Sequence, residues 1–383
     1  MFAIRTSAAG ALCLVSLALA AQPAPNFEVD PFWPKPLPDG WLNAQLPGVC
    51  VDSHDHVVVL DRRTITADQA ERGFLPADHI LMFNREGDLV SSWGDPDVVP
   101  MARLHGCSFD ADDNLWITGN RDGIIQKYSH SGEMLMQIGT RGVVDTADGT
   151  AIMAEDGTLN REALNSSREG FFFPAQAAVD PDNGDIYVAD GYGNRRVAVF
   201  DSNGQYLRQW GRQATLQEIK SGAGGAFAYA VHCIAISKAG FVFVCDREGD
   251  RIQVFDKQGT HIRNIWIKTD TTPELPDTCE HAQLVLCIVY SGTVWGIAFS
   301  PDDEQRFVYV MDGRNERVHV LDHQSGEILS SFGRGGHQAG HFDYGHSLAV
   351  DSLGNVYVAE TGDGRRVQRF RPVGNQAQNE NIP

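Results

Sequence analysis

Basic residues are scarce in this chain. Its 383 residues hold 31 lysines and arginines against 50 aspartates and glutamates, a formal net charge of −19, and no basic run. A protein that grips phosphates needs a basic face, so nucleic acid and anionic membrane surfaces are excluded as partners. Long apolar runs are missing too, apart from one at the very start, so no other segment is expected to cross a membrane. Paired cysteines are absent: no CxxC or CxxCH occurs, which excludes a redox dithiol and a haem attachment site.

The one apolar run lies between Ala8 and Ala21. Arg5 is the only charge in the first 27 residues, and the run ends in small residues. This pattern predicts a signal peptide over residues 1–21, cleaved near Ala20 or Ala21. The mature chain is then exported, periplasmic or secreted, with no membrane attachment. Cys13 leaves with the signal. Of the six remaining cysteines, Cys279 and Cys287 flank a loop, and Cys233 and Cys245 fall on adjacent strands of one repeat. Either pair can form a disulfide in an oxidising compartment. Cys50 and Cys107 fall on inner strands, where buried thiols are expected.

What is plentiful is a repeated phrase. Phe171 to Gly211 reads as four antiparallel strands: a short apolar run, the turn PDNGD, IYVAD, the turn DGYGNR, RVAVF, the turn DSNG, and QYLRQW. Runs of three to six residues between Gly, Asn and Asp clusters are hairpin signals. The phrase recurs with its first strand ending at Asp52, Asp110, Asp180, Ser237, Ser300 and Asp351, at intervals of 58, 70, 57, 63 and 51 residues by subtraction. Six such units cannot each bury both faces alone, so they predict an all-β fold, a six-bladed β-propeller over residues 46–371. The last unit lacks its fourth strand before the polar tail, 372–383. The segment 22–45, around Phe27–Val29, is expected to supply it and close the ring. Insertions at 64–79, 139–170 and 268–284 are candidates to cover one mouth of the ring.

Five residues before each anchor stand Pro47, His105, Ala175, His232, Trp295 and His346. Histidine fills this register in alternate units only. In a six-bladed ring, alternate blades place three imidazoles about 120° apart at equal depth on the channel wall. Three converging neutral imidazoles with an open fourth position suit a catalytic zinc, and the same set also accepts iron, copper or nickel. A second register follows the second strand: Arg62, Arg121, Tyr192, Arg247 and Arg314. Each arginine there has an ordinary alternative, an ion pair with Asp61, Asp190, Asp246 or Asp312. Tyr192 lies between two glycines, which leaves its ring free to reach the axis.

At these motifs the chain resembles peptidyl-α-hydroxyglycine α-amidating lyase, an NHL-repeat propeller. The likeness spans most of residues 45–371. Its carriers are LHGCSFD around His105, VHCIAIS around His232, YGHSLAV around His346, DGYGNRR around Tyr192, VVLDR at Arg62 and CDREGDRIQ at Arg247. The resemblance implies zinc on His105, His232 and His346, with Tyr192, Arg62 and Arg247 as catalytic residues. The implied reaction cleaves the C–N bond of a carbinolamide, a small molecule or a peptide, into an amide and glyoxylate. It also implies calcium on the backbone carbonyls of Val49 and Cys107. Three departures stand out: Ser347 replaces the family's calcium-binding aspartate, Tyr344 a methionine, and Gly193 a disulfide cysteine. A metal-dependent ester or lactone hydrolase and a non-catalytic NHL-repeat scaffold are the competing expectations.

Overall fold

A computed structural model describes residues 23–100, 103–143, 164–267 and 292–374. The expected signal segment 1–21 lies outside them, as do most of the 139–170 insertion, the loop 268–284, and Cys279 with Cys287.

The strands form where the turn spacing places them. Six four-stranded antiparallel sheets follow one another in chain order. Their innermost strands are Gly48–Val51, Leu104–Phe109, Gln176–Val179, Val231–Ile236, Val294–Phe299 and Gly345–Val350. Each innermost strand packs beside the next, and the sixth packs beside the first, so the sheets close into a ring. The chain is a six-bladed β-propeller.

Packing explains why blades form only together. In blade 3 the second strand, Ile186–Asp190, is buried on both faces. Its Ile186 and Val188 meet Trp116, Ile125 and Ile138 of blade 2. Its Tyr187 and Ala189 meet Ile234, Val242 and Val244 of blade 4. Successive side chains point to opposite faces, so one strand feeds two cores. Six clusters of this kind, one between each pair of neighbouring blades, make up the interior.

Two disulfides staple this interior. Cys233 and Cys245 join adjacent strands of blade 4 with Cα atoms 4.9 Å apart. Cys50 and Cys107 are also bonded, with Cα atoms 5.9 Å apart, rather than being the buried thiols expected from their inner-strand positions. They stand on the innermost strands of consecutive blades, whose close approach at the axis brings their sulfurs together. Two disulfides fit an oxidising compartment. No helix among the described residues is long and apolar enough to cross a membrane.

The last blade borrows its outer strand. Asn26–Asp30 pairs antiparallel with Val367–Val373, from Asn26 opposite Val373 to Asp30 opposite Arg369. Arg369 donates from Nη2 to the Asp30 carboxylate at 2.5 Å. Phe27 stacks on Phe332 of blade 5 at 4.6 Å, and Trp33 on Tyr357 at 4.7 Å. The insertion at 64–79 carries the short helix Ala67–Glu71, and its Leu75–Pro76 pairs in parallel with Trp41–Leu42.

The two ends of the chain are thus held in one sheet. A chain starting at Leu42 lacks the strand and both aromatic anchors. Losing buried Trp33 costs about 3–5 kcal/mol, and half-buried Phe27 and the strand pairing add to it, so the melting temperature of this shortened chain is expected to fall by about 10 °C. Differential scanning calorimetry checks this, and an unchanged melting curve would show that ring closure does not depend on the segment.

Candidate metal centre and active site

The three histidines reach the axis through a local irregularity. In blades 2, 4 and 6 the pairing of the innermost strand shifts register at the histidine: between Leu104 and Cys107, Val231 and Ile234, and Gly345 and Ser347. A β-bulge re-aims the side chain at that point. Here it turns each imidazole out of the inter-blade core and into the channel. The rings form a near-equilateral triangle, with centroids 4.7, 4.9 and 4.9 Å apart. Each is 2–4 % exposed.

The alternate register explains itself in three dimensions. His105 Nδ1 lies 2.8 Å from the Ala175 carbonyl, His232 Nδ1 2.6 Å from the Trp295 carbonyl, and His346 Nδ1 2.7 Å from the Pro47 carbonyl. Ala175, Trp295 and Pro47 occupy the same register in the three blades without histidine. Each even blade supplies an imidazole, and the next blade supplies the carbonyl that holds it. A carbonyl only accepts, so each Nδ1 carries the proton and each Nε2 offers a lone pair. Gly106 belongs to the same device: a Cβ there would stand 2.6 Å from the Ala175 oxygen. Burial first, then repulsion from the neighbouring imidazoles and guanidiniums, holds all three histidines well below their ordinary value of 6.5. They are neutral at physiological pH.

Tyr192 stands over this triangle. Its hydroxyl oxygen is 3.0 Å from His105 Nε2, 2.9 Å from His232 Nε2 and 3.0 Å from Arg247 Nη1. The DGYGNRR turn that carries it is tightly enclosed. A Cβ at Gly191 would run into the Val231 backbone, and one at Gly193 into the Phe172 ring. The glycines therefore serve fit, not freedom of the ring, and Gly193 leaves no room for a larger residue. Buried Arg195 threads the turn, donating from Nη1 to the carbonyls of Gly191, Gly193 and Asn194 and from Nε to that of Ala228.

The second register divides in two. Arg62 and Arg247 join Tyr192 at the axis. Arg62 is fixed by Nε on the Leu104 carbonyl at 3.1 Å and by Nη1 on Gln45 Oε1 at 2.8 Å. Its Nη2 is buried with no hydrogen-bond partner among the described residues. Burial, then repulsion from Arg103, pushes its guanidinium down to about 10, while Tyr192 opposes the shift. Arg247 is 1 % exposed, paired with Glu248 and stacked on Trp295 at 4.7 Å. Burial works against its charge, but Tyr192 and Glu248 hold it firmly protonated. Arg121 and Arg314, by contrast, are exposed. The aspartates thought available to these arginines mostly serve the strand ends instead: Asp190 pairs with Arg196, Asp246 with Arg251, and Asp312 with His319.

Two site residues, Arg103 and Gln176, were not picked out by motif or register, and Trp295 was placed in a register but given no role. Arg103 lies over the Tyr192 ring at 5.7 Å, two positions before His105. Gln176 lies under the histidines, donating to the Cys107 carbonyl at 3.3 Å and accepting from the Ile234 N–H at 3.3 Å. Trp295 provides both a carbonyl and a wall, with Tyr344 edge-on against it at 5.5 Å. A signal existed for Arg103, since it precedes the LHGCSF strand directly. Gln176 bears on calcium. The carbonyl of Cys107 faces an amide donor, and Ser347 Oγ accepts from the Val49 N–H at 3.4 Å. A calcium ion is held by carboxylates, backbone and amide carbonyls and water, and here Gln176 and Ser347 bring no carboxylate beside the Val49 and Cys107 carbonyls.

The three histidines form one of the groups of metal-ligating side chains among the described residues. With that geometry in place, kinship is informative. Residues 171–200 match the NHL repeat family model. The chain is 26 % identical to mouse peptidyl-glycine alpha-amidating monooxygenase over 343 residues, covering 83 % of this chain and 29 % of that protein. It therefore spans under a third of that relative's length. It is 26 % identical to fruit-fly (Drosophila melanogaster) peptidyl-alpha-hydroxyglycine alpha-amidating lyase 1, covering 70 % of this chain and 44 % of that one. It is 26 % identical to human NHL repeat-containing protein 3, covering 77 % and 73 %. Among solved structures, a streptogramin B lyase superposes with a TM-score of 0.56 at 12 % identity, covering 91 % of this chain and 98 % of that one, a likeness of fold. The chain is a six-bladed β-propeller with one segment, residues 171–200, matching the NHL repeat, and it resembles the peptidyl-α-hydroxyglycine α-amidating lyases.

Proposed function

We propose that this protein is an exported zinc-dependent lyase that cleaves the C–N bond of a carbinolamide, giving an amide and glyoxylate. One observation carries the reading. The Tyr192 hydroxyl faces the Nε2 lone pairs of both His105 and His232 while accepting from Arg247. One phenol proton cannot serve two nitrogens, so lone pairs confront each other unless a cation lies among them. Three neutral imidazoles, each oriented by a backbone carbonyl, fit zinc in number, donor type and supporting hydrogen bonds. Zinc, when bound, supplies a Lewis acid that draws charge from the substrate hydroxyl.

The chain's own groups do the rest. Arg62 Nη2, buried and unpartnered, binds the substrate carboxylate. Arg247 Nη1 donates to the Tyr192 oxygen at 3.0 Å and holds it at the site. The Tyr192 oxygen takes the hydroxyl proton as general base. The electron pair of that O–H bond becomes the carbonyl of glyoxylate, the C–N bond breaks, and the proton passes to the departing amide nitrogen. Arg103, over the Tyr192 ring, adds positive potential where the carboxylate enters. The amide can belong to a peptide or to a smaller molecule.

The decisive assay is glyoxylate release from α-hydroxyhippurate, before and after stripping and restoring zinc. Restored release on zinc addition is expected. Protein that holds zinc but releases none would leave the ring and the metal without this reaction, and would favour a hydrolase. Tyr192→Phe is expected to keep its zinc and lose turnover by about 10²–10⁴-fold; a fully active variant would remove Tyr192 as base. Arg62→Ala loses a charged hydrogen bond, so KM for hydroxyhippurate should rise about 10–100-fold, seen in steady-state kinetics. His232→Ala should lose one equivalent of zinc by metal analysis while still unfolding in a single cooperative transition.

A further inference from the structure

A second group of metal-ligating side chains lies at the other end of the ring. Innermost strands run the same way around the axis. His346 begins one of them, whereas Asp52 follows the far end of another. Five residues separate Pro47, at the histidine level, from Asp52, about 16 Å of extended chain. Around Asp52 the sequence reads Asp52-Ser53-His54-Asp55-His56, and His130 of blade 2 reaches across to it.

The geometry converges on one oxygen. His56 Nδ1 lies 2.8 Å from Asp52 Oδ2, and His130 Nε2 lies 2.8 Å from the same atom. All three ligand atoms fall within 4.8 Å of one another. The other carboxylate oxygen is occupied, accepting from the backbone N–H groups of His54 and His56 at 2.9 and 2.8 Å. Oδ2 is thus fixed in place and turned toward the imidazoles. The Asp52 side chain is fully buried, while His56 and His130 are 30 % and 41 % exposed, so solvent reaches the pair from one side. His54 stands apart from the group, with Nδ1 3.3 Å from both Asp113 Oδ2 and Ser53 Oγ.

The comparison with blades 3 and 4 is informative. There Asp180, the equivalent of Asp52, takes Lys257 Nζ at 2.8 Å. Lys257 occupies the position in its turn that His130 occupies in blade 2: Asp256-Lys257-Gln258-Gly259 against Ser129-His130-Ser131-Gly132. A permanent ammonium is enough to tie two blades together. Between blades 1 and 2 that ammonium is replaced by two imidazoles aimed at one carboxylate oxygen, which is the donor set of a divalent transition-metal ion.

We propose that Asp52 Oδ2, His56 Nδ1 and His130 Nε2 bind a second divalent transition-metal ion, of the zinc class, at the far end of the ring. The ion replaces the two imidazole protons that face Oδ2 and clamps blade 1 to blade 2, beside the Cys50–Cys107 bond. It is separate from the axial site and takes no part in the proposed reaction.

Cobalt(II) titration, followed by its visible absorption, tests this in the full chain. Wild type is expected to take two equivalents, and His56→Ala with His130→Ala one. His130→Gln keeps an N–H donor toward Asp52 but no imidazole, so it guards against loss of fold; it too should take one equivalent, with turnover unchanged. The melting temperature of wild type should rise in zinc more than that of His130→Gln. Two equivalents in either variant would overturn the proposal. A chain with His105→Ala and His232→Ala should keep one equivalent, which belongs to this site. Two equivalents there would count against the axial centre and not against this one.

Discussion

The hydrogen bond from an imidazole Nδ1 to the carbonyl of the next blade is the interaction on which the site depends. It occurs three times, at His105, His232 and His346, and each time it crosses between blades. It sets the tautomer, so that every Nε2 faces the axis as a lone pair. It also satisfies a buried carbonyl that would otherwise cost about 1–3 kcal/mol. Histidine alternates with Pro47, Ala175 and Trp295, so each imidazole is held by the backbone carbonyl of a blade that places no imidazole of its own at that register. Replacing one histidine by another metal ligand of different reach would therefore disturb two blades.

Tyr192 depends on this triangle and on the turn beneath it. Phe172 and Val231 close on Gly193 and Gly191 from either side, and Arg195 pins the carbonyls from within. The phenol is placed by a rigid turn against histidines placed by rigid strands. No part of that arrangement lies on the long insertions. The propeller thus separates duties: the inter-blade cores give stability, and the turns at one end give the chemistry.

Much of this was legible from residue types and spacing. Turn residues repeated at near-regular intervals, so the blade count followed, and the alternate histidine register announced a shared axis. The residues that escaped are those whose roles arise from closure of the ring. Cys50 and Cys107 lie 57 residues apart and at slightly different depths, so only the lateral packing of two innermost strands reveals their bond. Gln176 braces three blades through contacts no local pattern contains. Arg121 and Arg314 share a register with Arg62 and Arg247, yet their side chains are exposed, and Arg247 alone of the four opens a 3-10 turn. Register fixes which turn a residue occupies, while neighbouring side chains decide where it points.

Charge sharpens the functional argument. The chain carries a formal −19, yet Arg62, Arg103 and Arg247 gather around one phenol above three neutral imidazoles. Glu248 pairs with Arg247, leaving Arg62 and Arg103 to repel each other; burial first, and this repulsion next, lowers Arg62. Holding two like charges together in a half-buried mouth is unfavourable unless an anion arrives between them. A substrate with a carboxylate next to its reacting carbon relieves that repulsion as it binds. The same anion places its hydroxyl toward Tyr192, so recognition and orientation come from one contact. An uncharged ester or lactone would leave the repulsion in place, which is why the electrostatics of this mouth favour a carbinolamide acid over a neutral hydrolase substrate.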